Sequence, residues 1–163
     1  MELVDCDLCG PMKTIIVAGA RYFLLFVDDF FRKMWVYFLK KKSDAFCEFQ
    51  NFKATLENES RRRIRTLKLD NGSEFSSNVF ESFCEKEGIQ GQFTAPYTPH
   101  QNGVVERRNQ TVIKMARCLL QGKSVPNKYW EEAMHTVVYL LNKCPSKVVE
   151  DITPEEKWSS KKP

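Results

Sequence analysis

Along the first forty residues the apolar positions come in short runs with alternation at their ends, the pattern of strands. Residues 2–8 read as a first strand. "RYFLLFVDDF" (21–30) and "KMWVYFLK" (33–40) read as a second and a third, joined as a hairpin that turns near Phe30 to Lys33. The period then changes. Ser43 can cap a helix in which Phe46, Phe49, Lys53 and Leu56 recur at helical spacing, and "RRRIRTLKLD" (61–70) returns to a strand, with Leu67 and Leu69 alternating against Thr66 and Lys68. Ser76 or Ser77 opens a second helix carrying Phe80, Phe83 and Cys84 on one side, Gly88 closes it, and "IQGQFTA" (89–95) is a fifth strand. "PYTPHQNG" is too rich in Pro, Asn and Gly to be regular. Beyond it a long helix runs from about Val104 to Gln121, with Val105, Val112, Ala116 and Leu119 as its inward stripe. Pro126 stands early in a last helix, with Trp130, Ala133, Met134, Val137 and Leu141 on its buried face and Pro145 beyond its end.

The order βββαβαβ, followed by two helices, predicts an α/β layered domain with a mixed five-stranded sheet flanked by helices on both faces. The chain has 163 residues, 42% of them hydrophobic and twelve of them Phe, which suffices for one domain with its own core. The expected boundaries are a domain over 1–147 and, from 148 to 163, the polar start of a linker to a further C-terminal region. No apolar stretch approaches the length of a membrane span, and the N-terminus lacks a basic-then-apolar signal layout.

Charge adds little to the fold and something to the choice of partner. The net charge is +4, with basic residues gathered in "KKK" (40–42), "RRR" (61–63) and "ERR" (106–108). Such clusters suit a polyanion, although a charge run also serves simply as a solvated face. Six scattered cysteines fit reduced, mostly buried thiols in a reducing compartment. Cys6 and Cys9 are three apart on a strand, so their sulfurs point to opposite faces and do not make a zinc pair. His100 and His135 are single and remote from each other.

The candidate chemistry lies in three acids. Asp70 stands at the tip of the fourth strand, where Asp-Asn-Gly is also ordinary turn chemistry. Ligands in such folds gather at the carboxyl ends of parallel strands. Asp7 lies in the first strand, which would pair with the strand of Asp70 in this architecture. Glu106 enters the helix after the Pro-rich loop, where a surface Glu is also favoured by the helix dipole. The 35 residues between Asp70 and Glu106 decide nothing by themselves in a chain this acidic. Together, three clustered carboxylates repel one another unless a cation neutralises them, and oxygen ligands suit a hard divalent ion such as Mg²⁺. Two such ions would support in-line displacement at a phosphodiester, with Asp7 between them and Asp70 and Glu106 on the flanks. Arg107, Arg108 and Lys114, rising along the helix from Glu106, are the expected phosphate contacts. Asp28 and Asp29 read as the end of the second strand and its turn. "RRR" begins the strand that Asp70 ends, about 20 Å away by strand rise.

"DLCGPM" (7–12), "YFLLFVDDFFRKMWVYFL" (22–39), "LKLDNGSEF" (67–75), "PYTPHQNGVVERRN" (96–109) and "WEEAMHTVVYLLNKCPS" (130–146) together resemble the integrase core of Ty1/copia-type retrotransposons. "TPEEKWSSKKP" (153–163) also resembles the stretch that follows the core in plant-like members. The resemblance implies a ribonuclease H-like fold, a D,D-35-E site built from Asp7, Asp70 and Glu106, two Mg²⁺ or Mn²⁺ ions, and DNA 3′-end processing and strand transfer. It implies element-end DNA and target DNA as partners, assembly into a dimer or tetramer on DNA, and action in the nucleus after a cytoplasmic particle stage. A zinc-binding N-terminal domain and a basic C-terminal region would complete such an integrase. "PYTPHQNGVVE" (96–106) also resembles the active-site loop of retroviral integrases, where a Tyr and a Gln touch the viral DNA end; Tyr97 matches the first, Asn102 stands at the second, and His100 and Asn109 complete the expected DNA contacts. Asp5 stands where many family members carry His, on the same strand face as Asp7, and "FFRK" replaces a Ser before the Arg. Two other readings remain open: a domesticated or decayed core that binds without cutting, and a ribonuclease H-like nuclease or resolvase that never joins strands.

Overall fold

The computed structural model describes residues 3–12, 19–69, 75, 77–93, 103–149 and 151–161. Five strands form one sheet: β1 (Leu3–Cys9), β2 (Tyr22–Asp28), β3 (Met34–Leu39), β4 (Thr66–Leu69) and β5 (Gln90–Phe93), in the order β3-β2-β1-β4-β5. β1 pairs antiparallel with β2, and β2 with β3; β1 pairs parallel with β4, and β4 with β5. This is the expected mixed sheet, and the parallel half follows from the helices that return the chain across it. Those helices are α1 (Ala45–Ser60) and α2 (Asn78–Glu87). Beyond β5 come α3 (Gly103–Gly122), α4 (Trp130–Lys143) and α5 (Pro154–Ser159).

Because the sheet is covered on both faces, β2 is buried nearly throughout and does not alternate between core and solvent. Its Leu24 and Phe26 join Val4 and Cys6 of β1 against Phe49, Phe52 and Leu56 of α1 and Phe80 and Cys84 of α2. Phe26 and Phe52 stack there with ring centroids 4.0 Å apart. On the opposite face, Phe23, Leu25 and Val27 meet Val105, Val112, Ala116 and Leu120 of α3 and Ala133, Met134, Val137 and Val138 of α4. Cys6 lies in the first cluster and Cys9 packs against the second, so the two sulfurs part across the sheet.

Local chemistry sets the ends. Asp28 Oδ1 accepts from the backbone N–H groups of Phe30 (3.0 Å) and Phe31 (2.7 Å), which closes the β2–β3 turn and leaves Arg32 at φ 60°. Ser77 Oγ caps α2 by accepting from Phe80 N at 3.2 Å, and Gly88, at φ 68°, ends it. Asn142 of α4 reaches the edge strand: its amide accepts from Met34 N (2.9 Å) and donates to Met34 O (2.8 Å).

Three expectations are corrected. Ser43 does not cap α1; it sits within a 3-10 turn over Lys42–Asp44, and α1 starts at Ala45. The stripe of α3 ends on Leu120, not Leu119, which is 36% exposed, because the helical repeat from Val112 and Ala116 falls on 120. In α4, Val138 and Asn142 are buried with Ala133, Met134 and Val137, whereas Leu141 is only partly covered. Residues beyond the expected boundary at 147–148 also pack. Val149 and Pro154 are buried, Thr153 and Glu156 cap α5 reciprocally, and Trp158 sits 5.2 Å from Phe31 and 5.3 Å from Trp35. One aromatic, together with the Lys33–Glu155 ion pair at 2.9 Å, docks this short helix although its sequence is mostly polar.

Candidate active site at the sheet edge

β1 is the central strand, and its alternation divides its side chains. Val4 and Cys6 point into the α1/α2 core; Asp5, Asp7 and Cys9, paired in register with Val27, Leu25 and Phe23, take the α3 side. Asp7 is half-buried and its Oδ2 accepts from the side-chain amide of Asn109 and, at 3.6 Å, from the Cys9 thiol. The same Asn109 nitrogen lies 3.0 Å from Cys9 Sγ. Asn109 shares the inward side of α3 with Val105 and Val112, so the packing that docks the helix also docks the amide on Asp7. Glu106, one turn nearer the helix start, is exposed.

Asp70 lies outside the described residues. β4, which leads to it, ends at Leu69, whose register partner is Cys6, the residue before Asp7. Tyr97, His100 and Asn102 also lie outside the described residues. Arg107 and Lys114 are exposed on α3, and Arg108 is half-buried. Asn109, expected as a DNA contact, is 3% exposed and turned to Asp7, because its place on the apolar stripe faces the sheet. Its role as a holder of Asp7 was legible only as a polar residue interrupting that stripe. Arg32, read as part of a turn, proves to face α3 as well.

Asp5 is 2% exposed, and its Oδ2 has no hydrogen-bond partner among the described residues. Burial pushes its carboxyl up to about 6, with Lys68, its neighbour on β4, pulling it back. The extra charge expected beside Asp7 is thus weakened by the site's own dryness. Burial and the neighbouring Arg32 charge hold the Arg108 guanidinium below its usual value.

Among the described residues no group of three His, Cys, Asp or Glu side chains is close enough to hold a metal ion. Of the expected carboxylates, Asp7 stands on β1, where Asn109 orients it by donating to a single oxygen, and Glu106 is exposed on α3, one turn before Asn109. This chemistry fits a hard divalent cation.

Helices covering both faces of a mixed five-stranded sheet, with Asp7 on its central strand, define a layered α/β class of domain. The sequence matches the family described as "Integrase core domain" over residues 2–99, and the chain belongs to that family. Its relatives are of Ty1/copia type. It is 42% identical, over 99% of its length, to the retrovirus-related Pol polyprotein from transposon TNT 1-94 of Nicotiana tabacum, and 38% identical over 100% to that from transposon RE2 of Arabidopsis thaliana. It is 28% identical over 86% to the truncated transposon Ty1-A Gag-Pol polyprotein of Saccharomyces cerevisiae. The chain spans only 11–12% of the length of these three polyproteins. In structure it is similar to a chain of the simian T-cell lymphotropic virus intasome, solved by cryo-EM in complex with PP2A regulatory subunit B56 gamma. The TM-score is 0.77 at 18% identity, covering 98% of this chain and 55% of that one. The fold is ribonuclease H-like. Among the described residues no helix is long and apolar enough to cross a membrane.

Proposed function

We propose that this integrase core is a polynucleotidyl transferase that processes the 3′ ends of element DNA and joins them to target DNA. The observation that carries this reading is the tie between Asp7 and Asn109, which fastens the first acid to the helix that bears Glu106. In the first step a water oxygen attacks a phosphodiester near the element's end and a 3′-OH is released. In the second, that 3′-OH attacks a target phosphodiester, forming one P–O bond as the target strand's own P–O3′ bond breaks. Asp7, Asp70 and Glu106 are the residues that would hold two Mg²⁺ or Mn²⁺ ions, which supply activation of the attacking oxygen and charge for the phosphoryl oxygens. Asn109 keeps the Asp7 carboxylate in one orientation. Tyr97, His100 and Asn102 would touch the DNA end, and Arg107, Arg108 and Lys114 its phosphates. Assembly of several copies on element-end and target DNA, and action in the nucleus, belong to the same proposal.

The test uses a labelled branched DNA that mimics an integration product, incubated with Mn²⁺ or Mg²⁺. The wild type is expected to join strands, and Asp70→Asn and Glu106→Gln, checked for folding, to lose joining altogether. Nicked products without joined ones would identify a nuclease instead, and joining that survives both substitutions would remove these acids from the site.

A further inference from the structure

The β2–β3 turn and the start of α3 enclose a hollow of about 430 Å³, lined by Arg32, Arg107, Arg108, Thr111 and Val148. The turn places Arg32 there deliberately in the physical sense: its backbone is left-handed, its N–H donates to Asp28 O at 2.9 Å, and its guanidinium is braced by Asp29 at 3.0 Å. The Arg32 side chain is only 19% exposed. Arg108 faces it, half-buried, and among the described residues no hydrogen bond or ion pair reaches the Arg108 side chain. Thr111 lends no donor, since its hydroxyl donates to Arg107 O at 2.8 Å.

Two guanidiniums drawn partly out of water toward one another repel, and among the described residues no group restores to Arg108 the hydration it loses. An anion with several oxygens reverses both costs at once, since the planar forks of two arginines can grip different edges of one phosphate. We propose that this hollow is an oxyanion site that seats a single backbone phosphate of DNA between Arg32 and Arg108. The site begins two residues beyond Glu106 on α3, so a strand held there is delivered to the catalytic edge from the β2–β3 side. The inference rests on the DNA reading above and adds to it a residue, Arg32, from the opposite end of the chain's fold, together with a defined phosphate position.

The test measures binding of a fluorescent short duplex to the 163-residue chain in EDTA, where no catalysis intervenes. Arg108→Gln, Arg32→Asn (Asn tolerates the left-handed backbone) and their double variant are compared with Lys123→Gln, an equal loss of charge beyond α3, after thermal melts establish folding. Each single variant is expected to bind roughly ten-fold more weakly and to lower the slope of log affinity against log salt by about one. The double variant should be little worse than either single one, because both arginines hold the same phosphate. Arg108→Lys, which keeps the charge without the fork, should fall between. Affinities within two-fold of Lys123→Gln would overturn the proposal. Inorganic phosphate, titrated against the arginine Nε–H NMR signals, separates the sources. If it shifts Arg32 and Arg108 while duplex affinity ignores both substitutions, the hollow takes a free oxyanion and the DNA assignment is overturned. Should the wild type never join branched DNA yet lose duplex affinity with Arg32 and Arg108, the catalytic reading fails and the phosphate site stands. Normal joining with unchanged affinity in Arg108→Gln sinks the phosphate site alone.

Discussion

Asn109 shows how much a single amide decides. Its side chain donates to Asp7 Oδ2 from another element, so Asn109→Ala is expected to cut strand joining by roughly 10–100-fold. Duplex affinity in EDTA should stay as it was, which separates a positioning residue from a DNA contact. Asp28 makes the opposite case, a carboxylate at a strand end whose work is structural. Burial raises its pKa, partly offset by the N–H groups of Phe31 and Phe30 that it accepts from. An acid whose folded-state pKa is raised binds protons more readily folded than unfolded, so its contribution is fullest at low pH and is lost as pH rises through the folded value. Urea melts from pH 4 to pH 8 should therefore show the wild type losing stability relative to Asp28→Asn, and a parallel pair of curves would disprove the assignment. Sequence chemistry picks out Asp7 and Glu106 because carboxylates need a reason to gather. It does not set Asn109 against Asp7, because a polar side chain on a helix says nothing about which way the helix is turned.

Among the elements, α4 is fixed to the sheet edge by an amide that mimics a strand. Asn142 supplies Met34 with both the acceptor and the donor that a neighbouring strand would give, at 2.9 and 2.8 Å. Asn142→Ala leaves two buried backbone groups unpaired and is expected to cost about 2 kcal/mol in chemical denaturation; a change below a few tenths would mean that water replaces the amide freely. Strand and helix identities were legible because periods of 2 and 3.6 are local, and Ser77 and Gly88 mark their helix as capping chemistry requires. Leu119 against Leu120 was not, since which of two adjacent leucines turns inward depends on what lies beneath the last turn of α3.

For the molecule as a whole, both faces of the sheet must be covered, and residues after 147 help. Trp158 packs edge-on against Phe31 and Trp35, with Lys33 Nζ 5.3 Å from its ring centre. Trp158→Ala is expected to destabilise the domain by about 2 kcal/mol, and a chain stopped at residue 147 by more, read as a drop in melting temperature; a melting point indifferent to both would return the segment to the role of a tether. Burial also sorts the thiols. Against the expectation of mostly buried thiols, Cys47, Cys118 and Cys144 are exposed, whereas burial raises the pKa of Cys84 to about 11 and that of Cys6 well above its usual value. Iodoacetamide at pH 8 should label the first three in the native protein and Cys6 and Cys84 only after unfolding, as mass spectrometry would show. By itself the sequence determined the element order, the mixed sheet, the family resemblance and the acids worth watching, because each rests on local period or on residue chemistry. Only the tertiary structure decided that Asn109 belongs to Asp7, that Arg32 faces Arg108, and that Trp158 closes the core. Those pairings join residues 102, 76 and 127 positions apart, and contacts at such separations are set by how layers pack.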